Sequence, residues 1–366
     1  MIDIDELLYA INHPTEEQIR QNRKEFYQIL RSAKPKQCIN CGKKVQLCHS
    51  HFVPRYVLKN IAVNGEVNSY FSLIKCSGLP EKYGLKNAGT FQAICHKCDQ
   101  ELFTEYETPE NYNEIPTQKM LAQIVLKNYI QFVHKRRVDI VWGLYLLRNG
   151  NVSPKITHYF QNKRADLKRY EKCFINAKKR SLGLSDSKYH IIYFNKLPYV
   201  VPLAIQSAIT IIHDFNGNVI NNVDSDDSRY KLWELHVCIF PLKDSSVVLL
   251  FIDEKAKKRY EGFIRDFNYL SANDKLSLIA YLSILYSEEI YFYPPIIDVI
   301  KSSKVLMHAV KNDTDQLVLE TKDRELYRGT GAKSIFSPES KESENLRLFK
   351  DAPNLLSYEY RVKNSE

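Results

Sequence analysis

Apolar positions recur at helical intervals early in the chain. Ile19, Phe26, Ile29 and Leu30 follow Thr15 and Gln18, which stand in capping-box relation, so the pattern predicts a helix over 15–32. From Cys38 to Glu107 the pattern turns irregular, with short strands, turns and one helix start after Cys95. Small modules organised by a metal read this way. Residues 117–148 carry a long apolar series, Met120, Leu121, Ile124, Val125, Ile130, Phe132 and Val133, then Val138, Ile140, Val141, Leu144 and Leu147. His134, Lys135, Arg136 and Arg137 interrupt it, and the pattern predicts two core helices. Asn149 and Gly150 supply a stop, and a further helix is predicted from about 155 to 181.

From Lys188 the texture becomes β: YHIIYF, AITIIHDF, NVINNV, WELHVCIF and SVVLLFI. Asn216-Gly217 between two apolar runs predicts a hairpin. Residues 254–289 and 293–311 return to helical spacing, and the last forty or so are polar and loop-rich. The sum is an α+β protein. An N-terminal helix and metal-organised module span 1–114, a larger domain of helices and antiparallel sheet spans 115–330, and a polar tail spans 331–366.

Composition narrows the class. The 366 residues, 44% hydrophobic and 26% charged, suffice for two full cores and lie far from disordered chains. No apolar run approaches the roughly 20 residues that span a bilayer, so no membrane partner is expected. The opening MIDIDELLYAI is acidic and unlike a secretory leader, which predicts a cytoplasmic protein. In that reducing setting the eight cysteines are metal ligands or buried thiols. The net charge of +9 favours polyanionic partners.

Cys38-Ile-Asn-Cys41-Gly42 and Cys95-His-Lys-Cys98 form two Cys-x2-Cys pairs, four soft thiolates suited to tetrahedral Zn²⁺, with Gly42 fitting a tight knuckle turn. Between them lies Leu47-Cys48-His49-Ser50-His51-Phe52-Val53-Pro54. Two cysteine pairs flanking a strand that ends in His-x-x-Pro, the second pair opening a helix, resemble the treble-clef HNH endonucleases over roughly residues 36–108. The region is also similar to uncharacterised bacterial HNH-like zinc proteins with Ser-His-x-x-Pro and Cys-x2-Cys-Asp patterns.

The resemblance implies a ββα-metal site with a structural Zn²⁺ on Cys38, Cys41, Cys95 and Cys98. His51 matches the general base on water, and Asp99 stands where the family usually has a metal-binding histidine. A catalytic Mg²⁺ or Mn²⁺ would neutralise the developing phosphorane charge. Asp99, Phe103 and Glu107 step by four along one helix face, so Glu107 is a further candidate ligand. The bland alternative has Asp99 capping the helix, Phe103 packed and Glu107 solvated. This chain departs from the pattern in three places. Ser50 replaces an acidic or histidine ligand, Gly89 to Ile94 lacks the family asparagine, and the long gap between the pairs implies an insertion through about 60–88.

The helix over 155–181 is strongly basic, with Lys163, Arg164, Lys168, Arg169 and Lys172 as candidate phosphate contacts. Tyr159, Phe160, Tyr170 and Phe174 either stack on bases or anchor the helix. Gly329 to Ser334 lacks the spacing of a phosphate loop, and Asp214 to Asn218 lacks that of a calcium loop. The expected function is a metal-dependent HNH-type endonuclease acting on nucleic acid in a bacterial defence setting, with a protein partner or trigger. The alternative is a catalytically inactive zinc module that binds nucleic acid or a protein.

Overall fold

The computed structural model describes residues 31–70, 80–148, 154–223, 230–287, 289–315 and 346–363, together with Lys24 and Gln28. The helix expected over 15–32 lies largely outside them, although Lys24, Gln28 and residues 31–33 are helical. The Gly329 to Ser334 segment lies outside as well.

In chain order the elements are β1 (Ser50–His51), α1 (Arg55–Lys59), β2 (Glu66–Ser69), β3 (Glu81–Gly84), β4 (Thr90–Phe91), α2 (His96–Phe103), α3 (Gln118–Arg148) and α4 (Pro154–Ser181). There follow β5 (Tyr189–Leu197), β6 (Leu203–Ile209), β7 (Leu235–Pro241), β8 (Ser246–Asp253), α5 (Glu261–Tyr269), α6 (Ala272–Tyr286), β9 (Ile290–Phe292), α7 (Ile297–Ser302) and α8 (Lys304–Asp315). The architecture is mixed helix and antiparallel sheet. Strands β1 and β4 form a small ladder of their own, and the other seven make one sheet in the order β3-β2-β9-β6-β7-β8-β5. The stretch expected as an insertion between the cysteine pairs therefore supplies β2 and β3, which extend the main sheet.

Side chains on a strand alternate between faces, and β8 shows why its sequence is apolar throughout. Val247, Leu249 and Phe251 enter a core shared with α3, α4 and the cysteine-rich module, whereas Val248, Leu250 and Ile252 enter a second core. That second core is closed by α5, α6 and α8, and by Leu346, Phe349, Leu355 and Leu356 near the chain's end. The tail expected to be polar thus contributes four fully buried apolar side chains among its described residues.

Two sequence expectations need correction. The apolar series 117–148 forms the single helix α3, because His134 to Arg137 contain no helix breaker and the three cations find partners on the helix or beside it. Lys135 pairs with Glu289 at 3.0 Å, Arg136 with Asp139 at 3.0 Å, and Arg137 Nε donates to the Ala33 carbonyl at 3.2 Å. The second correction concerns NVINNV. The Asn216-Gly217 turn forms, with Gly217 at φ 78°, and His213 bridges Val219 while Ile220 N bonds the Ile212 carbonyl, but the pairing does not extend into a ladder of two strands. The buried Asn221 amide replaces the ladder by bonding the Ile211 carbonyl and both backbone groups of Trp233. Helix α4 matches its expectation and ends in a Schellman cap, with Gly183 at φ 69°, Gly183 N bonded to Arg180 O and Leu184 N to Lys179 O.

Between α3 and the sheet lies a buried polar chain in which Gln206 donates to Asn128, and Asn128 donates to His236 Nδ1 at 3.2 Å. His236 stacks on Phe251, and burial pushes its pKa down to about 3. Burial likewise holds His134 down to about 4. The unfolded chain takes up both protons near pH 6.5, where the folded chain does not. Stability present at neutral pH is therefore lost as pH falls from about 6.5 towards 4, by up to about 2.7 kcal/mol per unit for the pair. Urea unfolding at pH 7, 6 and 5 should show this decline, and His236→Phe should make it shallower by about one proton's worth.

Candidate metal centre and the Lys127 ion cluster

The cysteine pairs are brought together by short, local devices. Gly42, at φ 70°, turns the chain after Cys41, and Gly42 N bonds the Cys38 carbonyl at 2.8 Å. Leu47 bridges to Cys95, which places the second pair at the start of α2 beside the first. All four sulfurs lie within 4.8 Å of one another, and Cys41 and Cys95 sulfurs are 3.9 Å apart. A tetrahedral ion with bonds of about 2.3 Å requires sulfur separations of about 3.8 Å, so the cluster can hold a structural metal such as zinc.

The surroundings fit that role. The Cys95 N–H points at Cys38 Sγ at 3.4 Å, and the Asn40 amide donates to Cys98 Sγ at 3.2 Å. Burial raises the Cys38 thiol, but the backbone N–H groups of Cys41, Cys95 and Asn40 bring it down to about 7. Burial pushes Cys98 up to about 12 against the Asn40 amide. Four thiolates this close would repel one another, and a dication at their centre would relieve that repulsion. Lys178 on α4 donates to the Asn40 carbonyl at 2.8 Å and ties the knuckle to that helix.

Beyond the cysteines, the expected shared face of Asp99, Phe103 and Glu107 is realised, and it surrounds a side chain that sequence reasoning missed. Lys127 of α3 is 2% exposed, and its Nζ lies 3.0 Å from Asp99 Oδ1 and 3.2 Å from Glu107 Oε1. The ammonium also sits 4.1 Å from the centre of the Phe103 ring. Ser50 Oγ donates to the same Asp99 oxygen at 2.5 Å, and the Tyr106 hydroxyl donates to Glu107 at 3.0 Å. The available signal was a lysine within 120–133, a stretch of α3 otherwise made of apolar and uncharged polar residues.

His51 takes a different partner. Adjacent strand residues point to opposite faces, and His51 Nε2 meets the Leu85 carbonyl at 2.9 Å while Ser50 meets Asp99. Burial lowers the imidazole pKa, with Lys127 and Arg55 adding to the effect and the Leu85 contact opposing it. His49 is exposed and meets Gln92. Stacked Phe52 and Phe91, 4.6 Å apart, floor the small β1–β4 ladder.

The basic helix is divided in use. Arg169 pairs with Glu234 at 2.8 Å and with Asp166 at 3.6 Å, and lies over Tyr170. Arg180 pairs with Asp253 at 2.6 Å. Tyr170 and Phe174 are buried anchors, while the side chains of Tyr159 and Phe160 fall outside the described residues. Arg164, Lys168 and Lys172 are exposed, and Lys163 is half-buried. Among the described residues no helix is long and apolar enough to cross a membrane. No protein-family model matches this chain, and neither a curated protein nor a solved structure matches it.

Two outcomes follow from this geometry. Metal analysis of the purified protein should find one equivalent of bound metal, lost in Cys41→Ser, and chelation should lower the unfolding midpoint until Zn²⁺ is restored. Lys127→Met should cost about 2–3 kcal/mol in urea unfolding. That lies below the roughly 3–5 kcal/mol of a fully buried pair, since Asp99 and Glu107 remain 28% and 33% exposed and water can reach them.

Proposed function

We propose that the chain is a zinc-organised protein of treble-clef type that binds nucleic acid without hydrolysing it. The observation that carries the choice is the Lys127 ammonium between Asp99 and Glu107. In a divalent-metal hydrolase the acidic ligands surround a position that the metal and the phosphate share. Here the two carboxylates that would build such a position already converge on a side-chain cation with 2% exposure. Ser50, standing where the pattern wants a ligand, is spent as a donor to Asp99. The donor set does not fit a catalytic Mg²⁺ or Mn²⁺. Four convergent thiolates fit zinc better than harder or octahedral ions. Support for a nucleic-acid partner comes from the net charge of +9 and from the exposed cations of α4.

One feature favours the hydrolase as a second reading. A neutral imidazole whose Nε2–H is held by the Leu85 carbonyl leaves Nδ1 as an acceptor, the state a general base needs. The defence setting and a triggering partner belong to this reading. The test uses full-length, metal-loaded protein and a His51→Ala variant on labelled DNA and RNA with Mg²⁺ or Mn²⁺. Retarded but intact nucleic acid with both proteins is the expected result. Cleavage by the parent that disappears in the variant would establish hydrolysis and place the base at His51.

A further inference from the structure

From the outer face of α4 we infer that the nucleic acid recognised is a duplex, held through its phosphate backbone and read neither by base stacking nor by sequence. This rests on the nucleic-acid reading above and narrows its ligand. Arg164, Lys168, Lys172 and Lys179 recur at intervals of four, four and seven, so they line one side of the helix, and all four are exposed. At 1.5 Å per residue the stripe is about 22 Å long, and its first three cations step by about 6 Å. Glu171 lies at its margin, while Asp166 is engaged by Arg169 and Arg136. The charge is therefore concentrated in a row that matches a regular polyanion.

The described side chains of the same helix offer no exposed ring of the kind a single-strand binder requires. Such proteins gain about 1–3 kcal/mol for each base stacked on an aromatic ring. Tyr170 and Phe174 are 9% exposed and packed against α3, with the Tyr170 ring 4.8 Å from that of Phe132. Among the residues whose side chains are described, the exposed aromatics are Tyr269 and Tyr358, which belong to elements packed on the opposite face of the sheet. Anionic lipid would also attract the cations, but an interfacial helix must insert its apolar face. In α4 that face, Tyr170, Phe174 and Ala177, is committed to the core shared with α3. Of the apolar side chains on the stripe itself, Ile175 stands between Lys172 and Lys179 and Leu182 lies beyond them, 51% and 54% exposed.

The experiment measures binding of the full-length, metal-loaded protein to a fluorescent B-form duplex, to each of its single strands, and to phosphatidylserine vesicles, over 50–300 mM salt. Four cations predict a slope of log K against log salt of about −3.6 on duplex, with little dependence on sequence. The surface variant Lys168→Gln/Lys172→Gln/Lys179→Gln should bring the slope to about −0.9 and weaken duplex binding at 0.1 M salt by at least about tenfold. Its unfolding midpoint, measured alongside, should match the parent. Tighter binding to single strands, or a slope the variant leaves unchanged, overturns the duplex assignment while nucleic-acid binding stands. Binding to vesicles alone, or to nothing, overturns both.

Discussion

An ammonium group at 2% exposure has to be surrounded by negative charge, and the packing of the cysteine-rich module on α3 is arranged to meet that demand. Asp99 comes from the first turn of α2, Glu107 from just beyond its end, and Phe103 offers its ring face from the last turn. Three consecutive turns of one segment thus aim at a single atom of another helix. The arrangement fixes both the rotation of α2 about its axis and its height along α3. Since Cys95 and Cys98 open the same helix, it also fixes where the metal cluster sits relative to the main body. Loss of the lysine would leave two partly buried carboxylates facing each other with no counter-charge, which is why this contact outranks the surface pairs around it.

The sheet imposes the second constraint. Its central strands bury side chains on both faces, so the chain must supply two covering layers, and it does so from distant segments. One layer is α3, α4 and the cysteine module; the other is α5 to α8 with residues 346–356. The hairpin of β2 and β3 carries the module's chain into the same sheet, with Asn68 paired to Phe292 of β9. Gly89 shows how tight the join is: a Cβ there would lie 2.6 Å from the Tyr291 hydroxyl, on a backbone at φ 59°. A larger residue at this position would have to displace a buried tyrosine that is bonded to Glu289.

Local spacing made the cysteine cluster legible, because Cys-x2-Cys pairs encode their own geometry within a few residues. The basic helix was legible too, with Asn149 and Gly150 marking the stop ahead of it. Lys127 was not, because its partners lie 28 and 20 residues away on another element, and a lysine in an amphipathic series reads as solvated until the neighbouring layer is known. The split of 117–148 into two helices failed on a related point. His134 to Arg137 looked like a solvent break, but Glu289 and the Ala33 carbonyl beside the helix, and Asp139 one turn further along it, receive those charges. Asn221 misled in the opposite direction, since its buried side chain bonds both backbone groups of Trp233 where NVINNV as a strand would have continued a backbone ladder.

The module therefore sets two clusters of like-charged groups close together, four sulfurs that could hold a metal ion and two carboxylates that already face an ammonium. The four sulfurs would repel one another as thiolates and could gain a common centre from a dication, which would add to the backbone contacts that already join the knuckle to the start of α2. Asp99 and Glu107 face the same electrostatic problem, and the chain solves it internally with an amine whose charge is covalently tethered to α3. A tethered cation cannot be exchanged, offers no open coordination position and polarises no water, which makes it a structural counter-ion. Asp99 and Glu107, paired with Lys127, lock the cysteine-rich module onto α3. That lock sets the knuckle at the height where Lys178 of α4 reaches the Asn40 carbonyl, leaving the neighbouring Lys172 and Lys179 turned outward.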